Sequence, residues 1–236
     1  MVYVRKLRGT IYTFQVSGRL WRNSLIMEDR ETGSSWSQIT GRAIDGKHRG
    51  TQLQKVEAVE TTWENWRNAH PETTLLKKSE EVLSSHYQSY FDDPAKMGLF
   101  RAQWLVERMP GKTLVYGASY GPHAVAVTDQ ALSDGVVEVM LADAPLVLAR
   151  ARDGGVRAFV ARIDGRTIGL DRNPKTGEMR DTGGSTWDLG SGLCVSGPRF
   201  GSRLESVAVT PVYWLSLIHI SEPTRPFTLS RMPSSA

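Results

Sequence analysis

The stretch TGSSWSQITGRAIDGKHRG, residues 32–50, decides how this chain is understood, because a later stretch repeats its pattern. Residues 32–63 align without a gap with residues 183–214, at an offset of 151 positions. The nine identical positions are Gly33 and Gly184, Ser34 and Ser185, Trp36 and Trp187, Gly41 and Gly192, Gly46 and Gly197, Gly50 and Gly201, Leu53 and Leu204, Val56 and Val207, and Trp63 and Trp214. Recurring glycines suit turns with positive φ, and a tryptophan after two hydroxyl residues suits a chain entering a core. The pattern predicts an internal duplication.

A predicted β-hairpin precedes each copy. VYVRKLRGTIYTF, residues 2–14, matches AFVARIDGRTIGL, residues 158–170, at an offset of 156 positions. Both stretches alternate apolar and polar residues around a two-residue turn, Arg8-Gly9 in one and Asp164-Gly165 in the other. The sequence therefore predicts one β-rich unit that occurs twice.

Short β-rich runs dominate the remaining chain. They are residues 24–29, 53–59, 112–117, 123–128, 136–141 and 145–151. The convincing helix is WENWRNA, residues 63–69, which Thr62 caps and Pro71 ends. Its tryptophans, Trp63 and Trp66, share one face, and we expect that face to pack in the core. The fold class predicted is mainly β, with two related sandwich- or barrel-like units and one or two short helices.

The repeat also predicts the domain boundaries. The first unit is expected over residues 1–76, without its N-terminal part, because the strand-like residues 112–153 have no counterpart before the first hairpin. Residues 77–111 form a connection, and residues 112–214 form the second unit. From residue 215 to residue 236 the chain contains SLIHISEPTRP, which resembles sequencing-adapter DNA translated in frame. We expect a non-native tail there, without a helix and without core contacts.

Composition excludes several classes of protein. The 236 residues carry a net charge of +4, but the basic residues are scattered, so no nucleic-acid partner is predicted. Cys194 is the one cysteine, which excludes an internal disulfide and a cysteine-based metal cage. His48, His70, His86 and His123 lack the spacing of metal ligands, and neither a metal nor a cofactor is predicted. No apolar run is long enough for a transmembrane segment.

The sharpest catalytic motif is G-x-S-x-G at residues 117–121. A nucleophile elbow needs a helix directly after the serine, but Pro122 and a β-branched run follow Ser119. The later histidines also supply no credible base, so a serine hydrolase is not favoured. A turn between two strands is the better interpretation.

The leading functional hypothesis is a non-catalytic binding or structural module. The alternative is an enzyme with a polar site at the interface of the repeats, around Asp29, Trp36, Asp181 and Trp187. Buried tryptophans with hydroxyls bonded to the backbone would favour the module, whereas an open cleft with converging carboxylates would favour the enzyme. If either copy has chemistry of its own, it is expected where the copies differ, as at Ser37 and Gln38, which are replaced by Asp188 and Leu189.

Several of these stretches resemble a bacterial and archaeal family known as domain of unknown function 3179. The similar segments are residues 14–46, 61–76, 112–119, 156–165 and 182–214. The resemblance implies no established activity. It implies an extracytoplasmic setting, in which an envelope partner would fit, and a Cys-Pro segment before the first hairpin that has no counterpart in these residues.

Overall fold

The fold is mainly β, as predicted. The computed structural model describes residues 1–76, 88–97, 108–133, 135–173, 176, 178–217 and 230–231. Strands account for 46% of the structure and helices for 9%, and the helices are three short ones. In the part of the chain that the structure describes, no sheet closes into a barrel, so the barrel-like alternative is wrong. Most of the predicted connection over residues 77–111, with His86, lies outside the described residues, as does His219.

The elements follow one another as short strands with few helices between them. Before Thr113 the strands are β1 (Val2–Tyr3), β2 (Lys6–Leu7), β3 (Thr10–Ile11), β4 (Phe14–Trp21), β5 (Ser24–Asp29), β6 (Ser35–Ser37), β7 (Ala43–Asp45) and β8 (Lys55–Val56). The later strands are β9 (Leu114–Tyr120), β10 (His123–Thr128), β11 (Val136–Leu141), β12 (Ala144–Arg150), β13 (Val156–Val160), β14 (Arg162–Ile163), β15 (Arg166–Thr167), β16 (Leu170–Arg172), β17 (Met179–Asp181), β18 (Thr186–Asp188), β19 (Leu193–Ser196), β20 (Glu205–Val207), β21 (Val209–Tyr213) and β22 (Ser230–Arg231). The helices are α1 (Trp63–Ala69), α2 (Gln88–Asp92) and α3 (Trp214–Leu217), and a 3₁₀ turn covers Gln130–Leu132.

The chain divides into two compact units that are interleaved in sequence. The first unit comprises residues 1–56, 75–113 and 212–236, and the second comprises residues 57–74 and 114–211. Residues 57–74 thus group with the second unit, although the sequence places them in the first. The Thr61 hydroxyl donates to the carbonyl of Asp153, and the Asn65 side chain lies against Gly154. These contacts hold α1 to the turn between β12 and β13.

The first unit has its core around Trp36. Its largest sheet has the strand order β22-β4-β5-β6-β7, beside a β1-β8 pair and a β2-β3 hairpin. Trp36, Ala43 and Leu53 are buried together, and Phe14 packs edge-on against the indole with ring centroids 5.7 Å apart. The buried tryptophan therefore joins the main sheet to the residues that follow β7.

The second unit is built around a sheet that is buried on both faces. Strand β12 lies inside the sheet of order β11-β12-β13-β20, and six of its seven residues are buried. Val147 and Ala149 belong to a core shared with Trp187 and the sheet β16-β17-β18-β19, whereas Leu146 and Leu148 belong to a second core shared with β9 and β10. Because successive side chains of a strand point to opposite faces, a continuous apolar run is required there.

Both predicted hairpins are present. Lys6 pairs with Ile11 across the first, and Arg162 pairs with Thr167 across the second. The turn residues Arg8 and Gly9 have φ of 48° and 89°, and Asp164 and Gly165 have φ of 49° and 75°. Positive φ at both central residues is the signature of the type I′ turn, which matches the twist of short antiparallel strands.

Helix α1 has the predicted bounds but lies on the surface. Thr62 caps it by accepting a hydrogen bond from the Asn65 amide at 3.2 Å, and none of its residues is buried. Trp63 is 47% exposed, so the expectation that both tryptophans pack in the core is wrong. The helix has only seven residues, and the Trp66 ring lies against His70, with ring centroids 4.1 Å apart. The helix therefore does not place both rings in the core.

The described residues directly after β21 form a short helix. Helix α3 begins at Trp214, much as α1 begins at Trp63. Leu215 is 3% exposed, and its amide donates to the carbonyl of Gly111 at 2.9 Å. Strand β22 pairs antiparallel with β4. The expectation of neither a helix nor core contacts after Trp214 is therefore wrong at α3, while the non-native origin of the tail stays a prediction.

Candidate functional site

Each unit contains a tight turn in which a buried aspartate holds a buried tryptophan. In the first unit, the Trp36 indole N–H donates to Oδ2 of Asp29 at 2.8 Å, and both side chains are 0% exposed. Oδ1 of Asp29 accepts bonds from the amide and the hydroxyl of Thr32, at 2.6 and 2.7 Å. We call residues 29–36 the first tryptophan turn. Its carboxylate bonds only within the turn, among the contacts that the structure describes.

The second tryptophan turn, residues 181–187, has the same construction. The Trp187 indole donates to Oδ2 of Asp181 at 3.0 Å, and Oδ1 accepts bonds from the amides of Gly183 and Ser185, at 2.8 and 3.0 Å. Arg199 adds an ion pair to Oδ2 at 3.0 Å. In the first turn the equivalent position, 151 residues earlier, is occupied by His48, whose ring packs against Trp36.

Many backbone hydrogen bonds of residues 32–63 recur in residues 183–214 at the offset of 151, and we call these two stretches the tryptophan regions. Gly41 donates to the carbonyl of Ser37 and Gly192 to that of Asp188, each at 2.8 Å. Three further amide-to-carbonyl bonds recur at this offset: Ala43 to Thr51 as Cys194 to Ser202, Gly50 to Ala43 as Gly201 to Cys194, and Leu53 to Gly41 as Leu204 to Gly192. In addition, the His48 amide donates to the Ser34 hydroxyl as the Arg199 amide donates to the Ser185 hydroxyl. The same local structure thus forms on two sequences that share few residues beyond glycine, serine, leucine and tryptophan.

In each tryptophan turn a serine, Ser34 or Ser185, packs against a glycine outside the turn, Gly46 or Gly197. At Gly197, with φ of +94°, an added Cβ would lie 2.6 Å from the Ser185 Cα, and at Gly46 it would lie 2.7 Å from the Ser34 Cα. Main-chain atoms cannot move aside as the end of a flexible side chain can. Glycine is therefore required at both positions for close approach as well as for positive φ.

Replacing Gly197 with alanine should lower the free energy of unfolding by about 2 kcal/mol, through backbone strain and the contact with Ser185. The matched control is Gly201→Ala, because Gly201 also has positive φ, +84°, but has no atom within 4 Å of the added Cβ. Urea unfolding followed by circular dichroism compares the two variants. Equal losses would show that close packing against Ser185 does not matter.

The pKa values of both aspartates reflect their hydrogen bonds. Burial alone would raise the pKa of Asp29, but the bonds from Trp36 and Thr32 outweigh it, so the pKa lies below its usual value. The pKa of Asp181 is lowered in the same way, because bonds from Ser185 and Trp187 and the charge of Arg199 outweigh burial. Both groups are therefore carboxylates at neutral pH, and their hydrogen bonds come from their own turns and, at Asp181, also from Arg199.

A groove in the second unit offers the space that the tryptophan turns lack. It encloses about 630 Å³ and is bounded by the chain before α1, by one side of α1, by β13, by the turn after β18 and by β20. Its lining residues are Glu57, Ala58, Val59, Trp66, His70, Asp153, Val156, Arg157, Ala158, Phe159, Asp188, Gly190, Ser206, Val207, Ala208 and Val209. Aliphatic and aromatic side chains thus alternate with a few charged ones, as is usual in ligand pockets.

Two aromatic rings and an ion pair form fixed contacts in the walls of the groove. The Trp66 ring lies against the His70 ring, tilted by 37° with centroids 4.1 Å apart, and its indole N–H donates to the Thr73 hydroxyl at 3.0 Å. Arg157 pairs with Asp153 at 2.6 Å, where both side chains are largely buried. Since each of these groups is held by a neighbour, the groove is formed without a ligand.

A model of the family described as protein of unknown function (DUF3179) matches residues 1–224. The chain belongs to the DUF3179 family. No curated protein and no solved structure matches it. Membership brings no named activity to this DUF3179 protein, so its chemistry has to be inferred from its own residues.

The four residues singled out from the sequence of this DUF3179 chain fall into two pairs. Asp29 bonds Trp36 in the first unit, and Asp181 bonds Trp187 in the second. A role for these four in binding a ligand stays a prediction. Their geometry gives each pair a position inside its own turn, with Oδ atoms that accept hydrogen bonds from neighbouring backbone and side chains.

The G-x-S-x-G motif of the DUF3179 chain lies in a hairpin. Ser119 is in β9 and pairs with Ala124 of β10, and Gly121 has φ of +57° in the turn between them. No helix follows the serine, so backbone amides cannot converge on an oxyanion as in a nucleophile elbow. The predicted turn between two strands is confirmed at this site.

The described ranges contain neither a cluster of metal-ligating side chains nor a helix that could span a membrane. No group of three or more His, Cys, Asp or Glu residues is placed there to hold a metal ion. Asp92 and Asp93 instead accept bonds from Gln88 and from the Ala95 amide, both at 2.8 Å. Across the same ranges, no helix has the length and apolar character that crossing a bilayer requires.

The sequence did not indicate the groove, although one signal pointed toward it. Asp188 replaces Ser37 between the two copies, and it lines the groove together with other residues of the second copy, such as Gly190. Trp66 and Glu57 carry no comparable signal, because the sequence places their segment in the first unit. Its packing against Asp153 and Gly154 depends on contacts about ninety residues apart in sequence.

Proposed function

We propose that this DUF3179 protein is a non-catalytic binding protein, with its ligand site in the groove of the second unit and its tryptophan turns as scaffold. The proposal rests on the contrast between the buried tryptophan turns and the open groove. Trp36 and Trp187 are buried, with their aspartates saturated by hydrogen bonds, whereas Trp66 lines an open groove. Carboxylates held by backbone donors at the bottom of a turn are poorly placed to meet a substrate.

We further propose that the two tryptophan regions are copies of one ancestral unit. The corresponding hydrogen bonds at an offset of 151 support this, and so does the strand pairing upstream. Val2 pairs with Val56 in the first unit as Ala158 pairs with Val207 in the second. In each case an aromatic residue of the earlier strand, Tyr3 or Phe159, packs on a turn glycine.

Removing the Trp66 ring should weaken ligand binding in the groove at least about tenfold, because a large aromatic contact would be lost. The probe is N-phenyl-1-naphthylamine, a neutral aromatic dye whose fluorescence rises in apolar surroundings, titrated into wild-type protein and Trp66→Ala. The matched control is Trp63→Ala, which removes the same side chain from the same helix. Trp63 is 47% exposed and does not line the groove.

Two results would count against the binding proposal. One is a failure of the wild-type protein to bind the dye, and the other is an equal loss of binding in the two tryptophan variants. Unfolding in urea distinguishes a lost contact from a lost fold, since α1 buries none of its residues and both variants should unfold at nearly the wild-type concentration. A Trp66→Phe variant that keeps part of the affinity would support a direct ring contact.

A further inference from the structure

The groove has more negative charge than its ion pairs use. Asp153 is neutralised by Arg157, with Oδ2 and Nη2 2.6 Å apart. Glu57 and Asp188 also line the groove, and neither forms an ion pair with any residue that the structure describes. Two carboxylates, those of Glu57 and Asp188, therefore line the groove without an ion-pair partner among the described residues, on a chain whose overall charge is +4. A locally acidic groove on a basic protein attracts cations.

The charge of Asp188 exceeds what its turn requires. Its carboxylate accepts bonds from the amides of Gly190 and Ser191, at 3.3 and 3.0 Å, and from the Ser191 hydroxyl, and the residue is exposed to solvent. In the first unit the equivalent Ser37 hydroxyl accepts the corresponding bond from the Thr40 amide at 3.2 Å. An uncharged hydroxyl thus supports the same turn. The negative charge of Asp188 is therefore not needed for the turn, and it lies on the wall of the groove.

The apolar lining suits a ligand with a hydrocarbon or aromatic body. Val207 and Val209 lie along one side, and the partly buried Trp66 ring lies along another. An aromatic face attracts an ammonium or guanidinium group, and indole does so most strongly. Trp66 therefore favours the same sign of charge as Glu57 and Asp188.

We propose that the groove binds a small organic cation, in which an ammonium or guanidinium group meets Glu57, Asp188 and the Trp66 ring while an apolar body lies against the valines. This inference rests on the proposed binding function and specifies its ligand. The volume of about 630 Å³ accommodates one molecule of drug-like size.

The test compares two dyes that differ in one charge. Dansylcadaverine carries a primary ammonium on an aliphatic chain, and its N-acetylated form is neutral. At low ionic strength, wild-type protein should bind the cationic dye about tenfold more tightly than the neutral one, from cation–π and carboxylate attraction together. The preference should shrink at higher salt, because the carboxylates are exposed to solvent.

Substitutions then locate the charge effect. Asp188→Ser restores the residue of the first unit, so the turn should keep its hydrogen bond while the preference for the cationic dye falls about threefold. The matched control is Asp164→Asn, which removes an exposed charge of the same unit at a hairpin turn that favours asparagine and does not line the groove. Asp164→Asn should leave the preference unchanged.

The possible outcomes distinguish a failure of the cation assignment from a failure of the proposed binding function. Equal affinities for the two dyes, or tighter binding of the neutral one, would overturn the cation assignment while leaving the groove as a binding site. An Asp164→Asn effect as large as that of Asp188→Ser would also overturn it, because the attraction would then be general. If wild-type protein binds neither these dyes nor N-phenyl-1-naphthylamine, the binding function itself fails.

Discussion

Replacing Trp187 with alanine should lower the free energy of unfolding by about 3–5 kcal/mol, the range found for large aromatic side chains removed from cores. Trp187 is 2% exposed and packs in the core cluster that contains Met179, Phe159 and Leu204. Its loss leaves a cavity in that cluster and removes the indole donor from a buried Oδ atom of Asp181. Urea unfolding followed by far-ultraviolet circular dichroism measures the change.

The control for this experiment is another tryptophan. Trp63→Ala removes a ring that is 47% exposed, and its effect on stability should stay within about 1 kcal/mol. Trp36→Ala should resemble Trp187→Ala, since Trp36 is 0% exposed and is bonded in the same way. A loss at Trp187 no larger than the loss at Trp63 would contradict the view that the tryptophan turns organise the cores.

Replacing Asp181 with asparagine should destabilise the protein by about 2–4 kcal/mol at neutral pH. The two carboxylate oxygens accept hydrogen bonds from donors on both sides, namely Trp187 and Arg199 at Oδ2 and the Gly183 and Ser185 amides at Oδ1. An amide group has a single acceptor atom, so whichever way it is turned, its NH₂ meets donors. Thermal or urea unfolding of Asp181→Asn at pH 7 measures the loss.

The pH dependence of stability gives a second test of the contribution of the Asp181 carboxylate. The pKa of Asp181 is lower in the folded protein than in the unfolded chain, where it is about 4. Its stabilising contribution is therefore complete above that unfolded pKa and is lost as the pH falls through the lower folded pKa. Wild-type protein should lose stability on acidification below about pH 4, and Asp181→Asn should lose less over the same range.

Asp164→Asn serves as the comparison for the acid titration, because that carboxylate is exposed at a hairpin turn. Its unfolding profile should follow that of the wild type. If Asp181→Asn and wild type show the same slope against pH, then protonation of Asp181 does not contribute to acid unfolding, and the hydrogen-bonded carboxylate is not a source of stability.

Much of the local structure could be predicted from the sequence, because it depends on neighbours in the chain. Strands β5, β10 and β11 have the predicted bounds, as does helix α1 between Thr62 and Pro71. These elements follow from alternation, capping and turn residues within a few positions. Hairpins with Arg8-Gly9 and Asp164-Gly165 at their turns were predictable for the same reason.

What could not be predicted depends on contacts between distant parts of the chain. The spacing of Trp63 and Trp66 indicates a shared helix face but not what covers it, and the helix lies on the surface. The bond from the indole of Trp36 to Asp29 spans seven residues, whereas that of Trp187 to Asp181 spans six. An ungapped alignment therefore misses the aspartates as equivalent partners. The groove needs four separate segments to meet, and no local pattern records that.

The interleaving of the two units sets an order for their completion during synthesis. The second unit comprises residues up to 211, whereas the first also includes the later residues 212–217, of which Leu215 is buried. A chain that emerges from the ribosome in sequence order can therefore complete the unit that begins later before the unit that begins first.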